Sequence, residues 1–516
     1  MTTRKALVIT CVIAVGVVFA LAYGNVFGTR NQLTYLLDGL VRAQPDLYHN
    51  DWFVTQNHHY HVAFAYLTAP LFALDPDGAV AFGIAQLVAM VATFAAVYGL
   101  VAAATERGRL IVFVGIVGLL ALGGDHALGG TYLYAGYLQP SALATIGWLI
   151  AINAWVRDRL LIAGIALALG GVFHLNYALL GPSLLVLIVF LPMLVASSKT
   201  SNGKLAMDVL VQFEFPGHFK PSRVRLELFS LIGWQLIAMS VITVSDRSRD
   251  RLTWFALVTT TTVIVAAVIV QIGPLLSVTR LFAWRIAPFG ILAAQIQLFV
   301  ATREIARRER PRPRGWQLVV LVIGAALVVY NAFTRPREPY PEVVTCLMLA
   351  TAIAIAVRRE LIANVVCGAL CAFALWSERD HVVAPVLFES SEPGVTKWAR
   401  SETSPDAVFL IPPYYGDFRL LSRRAIVIDD KSPPMYLDEL VTWYQRLCSA
   451  VDAKTLDSLG DGWERWNKLS PERLLAVAGH FHATYVVLDK AQNLSRLAAP
   501  IAYEDELDVV YAIGRQ

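Results

Sequence analysis

The chain has 516 residues, of which 56% are hydrophobic and 16% are charged, and its formal net charge is +4. Soluble domains carry about 25% charged residues, and a soluble protein of this size could not bury so much apolar surface in one core. The composition therefore excludes an ordinary soluble protein and predicts a chain embedded in a lipid bilayer. The small net charge, spread over short basic clusters, also argues against a nucleic-acid surface.

The chain begins with basic residues at positions 1–5 and an apolar run at positions 6–23. This arrangement resembles a signal peptide, but the run is long enough to span a bilayer and no small-x-small cleavage site follows it. We therefore predict a retained first transmembrane helix with its N-terminus in the cytoplasm.

A long first loop, residues 24–78, follows this helix. Within it, residues 31–61 concentrate Asp46, Asp51, four histidines and several aromatic residues between apolar helices. Residues 60–74, which include Pro70, are too few to span comfortably, so we predict that they lie along the interface or dip into the membrane. So many polar groups exceed what a chain reversal needs, and chemistry at the membrane surface is the first hypothesis.

Eleven further apolar runs are candidates for spanning helices. They are residues 79–103, 110–123, 139–156, 160–173, 177–196, 226–244, 252–272, 281–301, 316–333, 342–357 and 361–376. Basic residues in alternate short loops set the orientation, but the clusters before and after Lys204 disagree in parity. An extra crossing at 205–215 would reconcile them, which predicts 13 crossings with it and 12 without it.

The composition changes after Trp376. Residues 377–516 contain apolar runs of strand length at 407–411, 425–428, 485–488 and 509–513, separated by helical patterns. This length suits one small α/β domain. We therefore divide the chain into a helical membrane region, residues 1–376, and a C-terminal α/β domain, residues 377–516, on the side opposite the cytoplasm.

Asp51 is the first candidate site residue, because the neighbouring Tyr48 and Trp52 could desolvate its carboxylate. It could then act as a general base or bind a metal, or it could face water in an interfacial anchor. His58 and His61 have the i, i+3 spacing of one helix face and could bind a metal together with Asp51.

Other polar residues are expected near the same membrane face. Asp125 and His126 lie in a glycine-rich loop, and His174 interrupts a pair of apolar helices, where it could face a cavity or join two helices. Arg280 and Arg285 oppose the positive-inside trend. A lipid-linked phosphate would explain them, because the guanidinium group matches phosphate oxygens; snorkelling to headgroups is the alternative.

In the C-terminal domain, Arg419, Arg424 and Lys431 flank a predicted strand. Their side chains could converge at the end of that strand. A solvated α/β surface would carry similar charges, so both interpretations stay open.

The order of these parts resembles the GT-C class of membrane glycosyltransferases: one helix, a long outer loop with an acidic residue, many helices and a C-terminal extracytoplasmic domain. The stretch Pro45-Asp46-Leu47-Tyr48-His49-Asn50-Asp51 resembles the P-x-L-Y-x-x-D first loop of a family of uncharacterised bacterial polytopic proteins related to that class. The segment from Trp398 to Lys431, with Trp443 to Arg446, resembles the end of the same family.

The resemblance implies a bacterial cytoplasmic-membrane enzyme that transfers a sugar from a polyprenyl-phosphate carrier to an extracytoplasmic acceptor. Asp51 would deprotonate the acceptor hydroxyl, which attacks the anomeric carbon with inversion. Arg280 or Arg285 would stabilise the departing phosphate, and the basic residues of the C-terminal domain would close the site. The substrate-binding candidates are Asp46, Tyr48, His58, Asp125, His126, His174, Arg280, Arg285, Arg419, Arg424 and Lys431.

One departure from the class concerns metal binding. Many GT-C enzymes carry paired acids in the first loop, whereas here Asn50 precedes Asp51 and leaves one carboxylate, with Asp46 as a stand-in. A metal, if used, would be Mg²⁺ or Mn²⁺. The expected partners are the bilayer, a lipid-linked sugar and an acceptor, and no nucleic acid.

Two other classes remain as alternatives. A transporter or flippase would carry ionisable residues in the middle of several helices and inverted repeats. Here the helix centres are nearly free of charge and the polar residues gather at one face, which favours surface chemistry. A non-catalytic scaffold that binds a cell-envelope partner through the C-terminal domain is the third possibility.

Overall fold

The computed structural model of the protein describes residues 3–57, 61–123, 127–128, 131–180, 201–214, 216, 221–240, 247–272, 282–311, 313–333, 340–377, 379–491 and 496–513. Helices dominate up to residue 377, and a five-stranded sheet lies within the C-terminal domain. The α-helical polytopic fold with a small C-terminal α/β domain, predicted from the sequence, is thereby confirmed.

The described residues in the first half of the helical region form ten helices. They are α1 (Thr3–Tyr23), α2 (Gln32–Tyr35), α3 (Leu37–Ala43), α4 (Trp52–Gln56), α5 (Val62–Leu74), α6 (Ala79–Ala104), α7 (Arg109–Ala121), α8 (Pro140–Val156), α9 (Leu160–Phe173) and α10 (Leu175–Leu180).

The second half continues to residue 377. It comprises α11 (Ser201–Asp208), a π-helical turn (Val209–Glu214), α12 (Pro221–Ser240), α13 (Arg247–Ile272), a 3₁₀ turn (Ala283–Ile286), α14 (Ala287–Ala306), α15 (Gly315–Phe333), α16 (Tyr340–Val357) and α17 (Glu360–Ser377). Apart from 177–196, each predicted spanning run coincides with one of these helices to within a few residues.

Six of the described helices are long and apolar enough to cross a membrane. In the span Ala283–Ala306, 94% of the residues in the apolar stretch are buried. The corresponding shares are 28% in Gly315–Phe333 and 22% in Glu360–Ser377. The helix α14 is therefore the centre of the bundle, and α15 and α17 lie at its lipid-facing periphery. This arrangement confirms a multi-pass membrane protein.

Close helix packing depends on glycine at one contact in particular. Gly233 of α12 and Gly324 of α15 face each other so closely that a Cβ atom on either would lie 2.7 Å from the carbonyl oxygen of the other. Small residues let helix backbones approach in this way within a bilayer, where apolar burial alone does not drive association.

In the C-terminal domain, the residues that the structure describes form six helices and five strands. They are α18 (Arg379–Val383), α19 (Gly394–Glu402), β1 (Val408–Leu410), α20 (Phe418–Ser422), β2 (Ala425–Ile426), α21 (Leu437–Ala450), α22 (Leu459–Asn467), α23 (Pro471–His480), β3 (Tyr485–Asp489), β4 (Ile501–Glu504) and β5 (Asp508–Ala512).

The strands form one sheet in the order β2-β1-β3-β5-β4. Strand β1 pairs in parallel with β2 and β3, whereas β5 runs antiparallel to β3 and β4. The four predicted strands are present. Strand β4 was missed because it is a short edge strand whose apolar run is only three residues long, and its side chains are mostly exposed.

The extra crossing predicted at 205–215 is wrong. Val209, Leu210 and Phe213 belong to the hydrophobic core of the C-terminal domain, and the ring of Phe213 lies 5.1 Å from that of Tyr444. The apolar residues of this stretch thus cover a domain core instead of facing lipid. Apolarity alone does not distinguish these two environments.

Tyr177 and Glu214 line the same cavity, so these two residues lie at the same face of the protein. The predicted helix 177–196 lies mostly outside the described residues, and α10 is its described part. The cytoplasmic position of the N-terminus remains a prediction from the Lys and Arg pattern.

Candidate functional site

A cavity of about 240 Å³ opens where the helical region meets the C-terminal domain. Its wall is assembled from distant segments: the first loop, the 131–141 segment, the start of α10, the π-helical turn, the 3₁₀ turn before α14 and the loop after β2. The lining residues used below are Asn31, Thr34, Tyr35, Tyr132, Gln139, His174, Tyr177, Glu214, Arg285 and Lys431.

Arg285 brings a positive charge to the wall on the helical side. It lies in the 3₁₀ turn, which begins after Phe282 in the left-handed conformation (φ 48°), and its guanidinium carbon is 5.2 Å from the centre of the Phe282 ring. Arg285 Nη1 donates to His174 Nε2. Within the described part of the chain no carboxylate pairs with Arg285, so its charge is available to an anion.

His174 is held in its neutral form. Burial, assisted by the charge of Arg285, lowers the pKa of His174 well below its usual range. Because Nε2 accepts a hydrogen bond from Arg285, the ring proton is on Nδ1. The imidazole therefore orients the guanidinium group without adding a second charge.

His61 lies behind this wall, with its ring 5.0 Å from that of His174 and 4.8 Å from that of Tyr35. Its Nδ1 is 2.9 Å from the carbonyl oxygen of Phe173. Burial lowers the pKa of His61 to about 4. The ring is therefore neutral near pH 7 and acts as packing for the cavity wall.

Lys431 supplies the second positive charge, from the C-terminal domain. Thr34 Oγ1 donates to the carbonyl oxygen of Lys431 at 3.1 Å. Gly416 makes room for this loop, because a Cβ atom there would lie 2.6 Å from the Lys431 Cβ. No ion pair of the Lys431 ammonium group is found with any described residue, so two cations from different domains line one cavity.

Glu214 is the cavity's carboxyl group, and sequence reasoning missed it as a site residue. Its Oε2 atom is buried and has no hydrogen-bond partner among the residues that the structure describes. Burial, with a contribution from Asp430, raises the pKa of Glu214 to about 8, against the opposing effect of Lys431. The sequence did contain a signal for Glu214: it is an acidic residue within an apolar stretch, and such residues often face a cavity.

Asp51 occupies a different environment. It is fully buried; its Oδ2 accepts from Arg419 Nε at 2.9 Å and from the Ile426 amide at 3.0 Å, and its Oδ1 accepts from the Val54 amide at 3.1 Å. The last contact caps the N-terminus of α4. The carboxylate of Asp51 does not line the cavity; it joins the first loop to the C-terminal domain.

Arg419 is the partner of Asp51 and is also buried. Its Nη1 donates to Asp429 Oδ2 at 2.6 Å and to Ser432 Oγ at 2.9 Å. Because Asp429 and Ser432 flank the segment that carries Lys431, Arg419 supports the cavity wall without lining it. This differs from the direct substrate contact that the resemblance implied.

Three further candidates have structural or surface positions. Tyr48 is buried and its hydroxyl donates to the carbonyl oxygen of Arg419 at 2.7 Å. Arg424 donates to the carbonyl oxygens of Arg400 and Thr403, each at 2.7 Å, and so satisfies the end of α19. Asp46 is exposed and does not line the cavity.

Four predicted site residues, His58, Asp125, His126 and Arg280, lie outside the described residues. Among the described residues, no group of three or more His, Cys, Asp or Glu side chains could hold a metal ion. Asp51 is bound to Arg419, and His61 contacts the carbonyl oxygen of Phe173. His58, the third residue of the predicted metal site, lies outside the described residues.

Fold and cavity together define a multi-pass membrane protein with a charged cavity at one face. Residues 391–450 match a family described as a domain of unknown function (DUF6798). This segment includes Arg419 and Lys431. A search of curated protein sequences finds no match.

Two crystal structures show similarity over the length of the chain. ArnT from Cupriavidus metallidurans bound to undecaprenyl phosphate is 15% identical, with 100% of each chain covered and a TM-score of 0.44. ArnT from the same organism in the apo state is 13% identical, with 100% of this chain and 99% of that chain covered and a TM-score of 0.40. Both likenesses concern the fold.

Proposed function

We propose that the protein is a membrane glycosyltransferase that moves a sugar from a polyprenyl-phosphate carrier to an extracytoplasmic acceptor. The observation that supports this most directly is the pair of cations, Arg285 and Lys431, which line one cavity beside the membrane helices. Neither is paired with a carboxylate within the described residues. A phosphate in a lipid headgroup has the charge and the location that such a pair would bind.

The rest of the wall suits a sugar. Tyr35, Tyr132 and Tyr177 provide aromatic surface and hydroxyl groups, and the amides of Asn31 and Gln139 add donors and acceptors. The two amides are already oriented, because Asn31 Nδ2 donates to Gln139 Oε1 at 3.0 Å. A mostly fixed surface with a few convergent polar groups is typical of small-molecule sites.

The chemistry follows from these groups. An acceptor oxygen attacks the anomeric carbon of the donor, the bond from that carbon to the phosphate oxygen breaks, and its electrons leave with the lipid phosphate. Arg285 and Lys431 would stabilise the negative charge that develops on the phosphate, in a poorly hydrated site where such contacts are strong. The Lys and Arg pattern assigns the cavity to the extracytoplasmic face.

The test is equilibrium binding of a panel of polyprenyl-phosphate sugars, and of sugar-free polyprenyl phosphate, to purified protein. We expect Arg285→Ala and Lys431→Ala each to weaken binding about tenfold, since a charge-assisted hydrogen bond contributes about 1.5–3 kcal/mol. Arg314→Ala is the matched control, because Arg314 is exposed before α15, at the opposite end of the α14 bundle.

Transfer to added acceptors is then measured for every sugar that binds. A folded wild-type protein that binds none of these lipids would overturn the proposal and favour a scaffold. Equal binding by wild type and both cavity variants would show that the cations do not recognise the phosphate. Movement of the lipid across a vesicle membrane without transfer would instead support a flippase.

A further inference from the structure

We infer that Glu214 is the general base of this reaction and takes the proton from the acceptor hydroxyl. The inference rests on the proposed function and deepens it. It moves the base from Asp51, which the resemblance implied, to a carboxyl group supplied by the turn between α11 and α12.

The first support is the position of the two carboxyl groups. Glu214 lines the cavity together with Arg285 and Lys431, and its Oε2 accepts no hydrogen bond from any described residue. Asp51 does not line the cavity, and its oxygens accept three hydrogen bonds. A base needs an oxygen that can reach the proton it removes, and Glu214 has one.

The second support is that Glu214 is held on a rigid element. It ends the π-helical turn Val209–Glu214, and the preceding Phe213 packs edge-on against Trp443 and Tyr444, with ring centres 6.1 Å and 5.1 Å away. Isolated π-turns are rare in proteins, and those that occur are often found at functional sites. Packing of this kind holds a reacting group at a defined distance from its substrate.

The third support is the electrostatic environment. Burial and the nearby Asp430 and Asp429 favour the neutral form of Glu214, while Lys431 favours the charged form, and the balance raises the pKa to about 8. A base is most effective when its pKa is near the working pH. The other titratable or charged groups that line the cavity are Tyr35, Tyr132, His174, Tyr177 and Arg285.

The proton balance is complete without a further reactant. As the acceptor oxygen bonds to the anomeric carbon, its proton passes to Glu214 Oε2. The bond from the anomeric carbon to the phosphate oxygen breaks, and the phosphate keeps the electron pair and the negative charge beside Arg285 and Lys431. Glu214 then returns the proton to solvent before the next turnover.

The decisive comparison is Glu214→Gln beside Glu214→Asp and wild type. Glutamine keeps the size of the side chain but cannot accept the proton, so we expect donor binding within about twofold of wild type and transfer at least about 100-fold slower, the usual contribution of general base catalysis. Glu214→Asp, which keeps the carboxylate but shortens its reach, should be intermediate.

The pH profile supplies a readout that a structural role would not change. Because the ionised carboxylate is the active form, wild-type transfer should rise as the pH increases toward about 8, and the residual rate of Glu214→Gln should lack that rise. The infrared absorbance of protonated carboxyl groups should be larger in wild type than in Glu214→Gln at pH 6, and this difference should vanish as the pH rises past about 8.

The outcomes separate the two proposals. A wild-type protein that binds no lipid-linked sugar fails the proposed function, whereas a Glu214→Gln variant that binds donor and transfers at the wild-type rate fails this inference alone. A Glu214→Gln variant whose transfer rate keeps the wild-type dependence on pH would also overturn the assignment of the base, because Glu214 would then not be the group that titrates.

Discussion

The guanidinium group of Arg419 donates to Asp51 Oδ2 at 2.9 Å and thereby connects residues 368 positions apart in the chain. The same group donates to Asp429 Oδ2 at 2.6 Å. Both carboxylates are fully buried, so one cation is shared between two desolvated anions. Arg419 is therefore one of the side chains that hold the first loop against the loop that carries Lys431.

Replacement of Arg419 by alanine should strongly destabilise the protein. It would leave Asp51 and Asp429 buried without their cation, and breaking a buried pair by removing one partner costs about 3–5 kcal/mol. Arg473→Ala is the control, since Arg473 pairs with Asp452 at 3.2 Å on the surface, and such pairs contribute about 0–1 kcal/mol. Thermal unfolding in detergent would measure both, and equal shifts would contradict the assigned role of Arg419.

Asp51→Asn should act on stability more than on chemistry. The substitution removes the charge that faces Arg419 and turns one acceptor into a donor, so the melting temperature should fall clearly. Transfer per folded molecule should stay within about tenfold of wild type, a change of about 1.4 kcal/mol in the barrier. A variant that melts like wild type but has lost all transfer would return the base to Asp51.

Thr34→Val tests whether the hydrogen bond from Thr34 positions the loop that carries Lys431. Thr34 Oγ1 donates to the carbonyl oxygen of Lys431, and loss of one neutral hydrogen bond costs about 1 kcal/mol. We expect donor affinity to fall about fivefold while the melting temperature changes little. Thr262→Val removes a hydrogen bond within α13 instead and should leave donor affinity unchanged. A similar loss of donor affinity in both variants would show that Thr34 does not position the Lys431 loop.

Asp430→Asn should change how stability depends on pH. Burial, assisted by Asp429, raises the pKa of Asp430 to about 7, above the value of about 3.9 in the unfolded chain. Below about pH 4 the carboxyl group of Asp430 is protonated in both states and does not lower the free energy of unfolding of the wild type. That free energy then falls as the pH rises through about 7, because the folded protein must ionise a buried group. Asparagine retains an acceptor for Trp463 Nε1, which donates to Asp430 at 2.7 Å.

The stability advantage of Asp430→Asn over wild type should thus grow by about 3 kcal/mol from pH 5 to pH 8, since each pKa unit is worth about 1.4 kcal/mol. Unfolding curves at several pH values would measure it. Asp46→Asn, on the exposed first loop, should show no such trend. An advantage that shrinks toward pH 8 would mean that the Asp430 carboxylate is stabilised, not penalised, by its surroundings.

Gly324→Ala should disturb the contact between α12 and α15. The added Cβ atom would lie 2.7 Å from the carbonyl oxygen of Gly233, and overpacking of this kind costs about 1–3 kcal/mol. In α17, a Cβ atom added at Gly368 would meet no other atom within 4 Å. Gly368→Ala should therefore be neutral or stabilising by up to about 1 kcal/mol, and equal losses in both variants would argue against the close approach.

Prediction from the sequence succeeded where one physical property decides the outcome. Runs of apolar residues long enough for a bilayer became helices, and short apolar runs between turn residues became β1, β2, β3 and β5. His174 and Arg285, singled out as polar residues near a membrane face, and Lys431, singled out beside a predicted strand, line one cavity; their role in binding stays a prediction.

Prediction failed where the same residue type has two environments open to it. The apolar residues of 205–215 could face lipid or a domain core, and Phe213 packs on Tyr444. Asp51 was expected either to act as a base or metal ligand or to face water in an interfacial anchor; it does not face water, because it is buried and caps α4. Only the position of a partner far along the chain distinguishes these cases.

The sequence by itself determined that this chain lies in a membrane, where its helices are and that a mixed α/β domain follows them, because hydropathy and residue periodicity are local properties. The tertiary structure decided which polar groups meet. Arg285, Glu214 and Lys431 come from three segments with no local signal linking them, and Arg419 reaches Asp51 across 368 residues. Side-chain neighbours over such separations depend on how the whole chain packs, which no local pattern encodes.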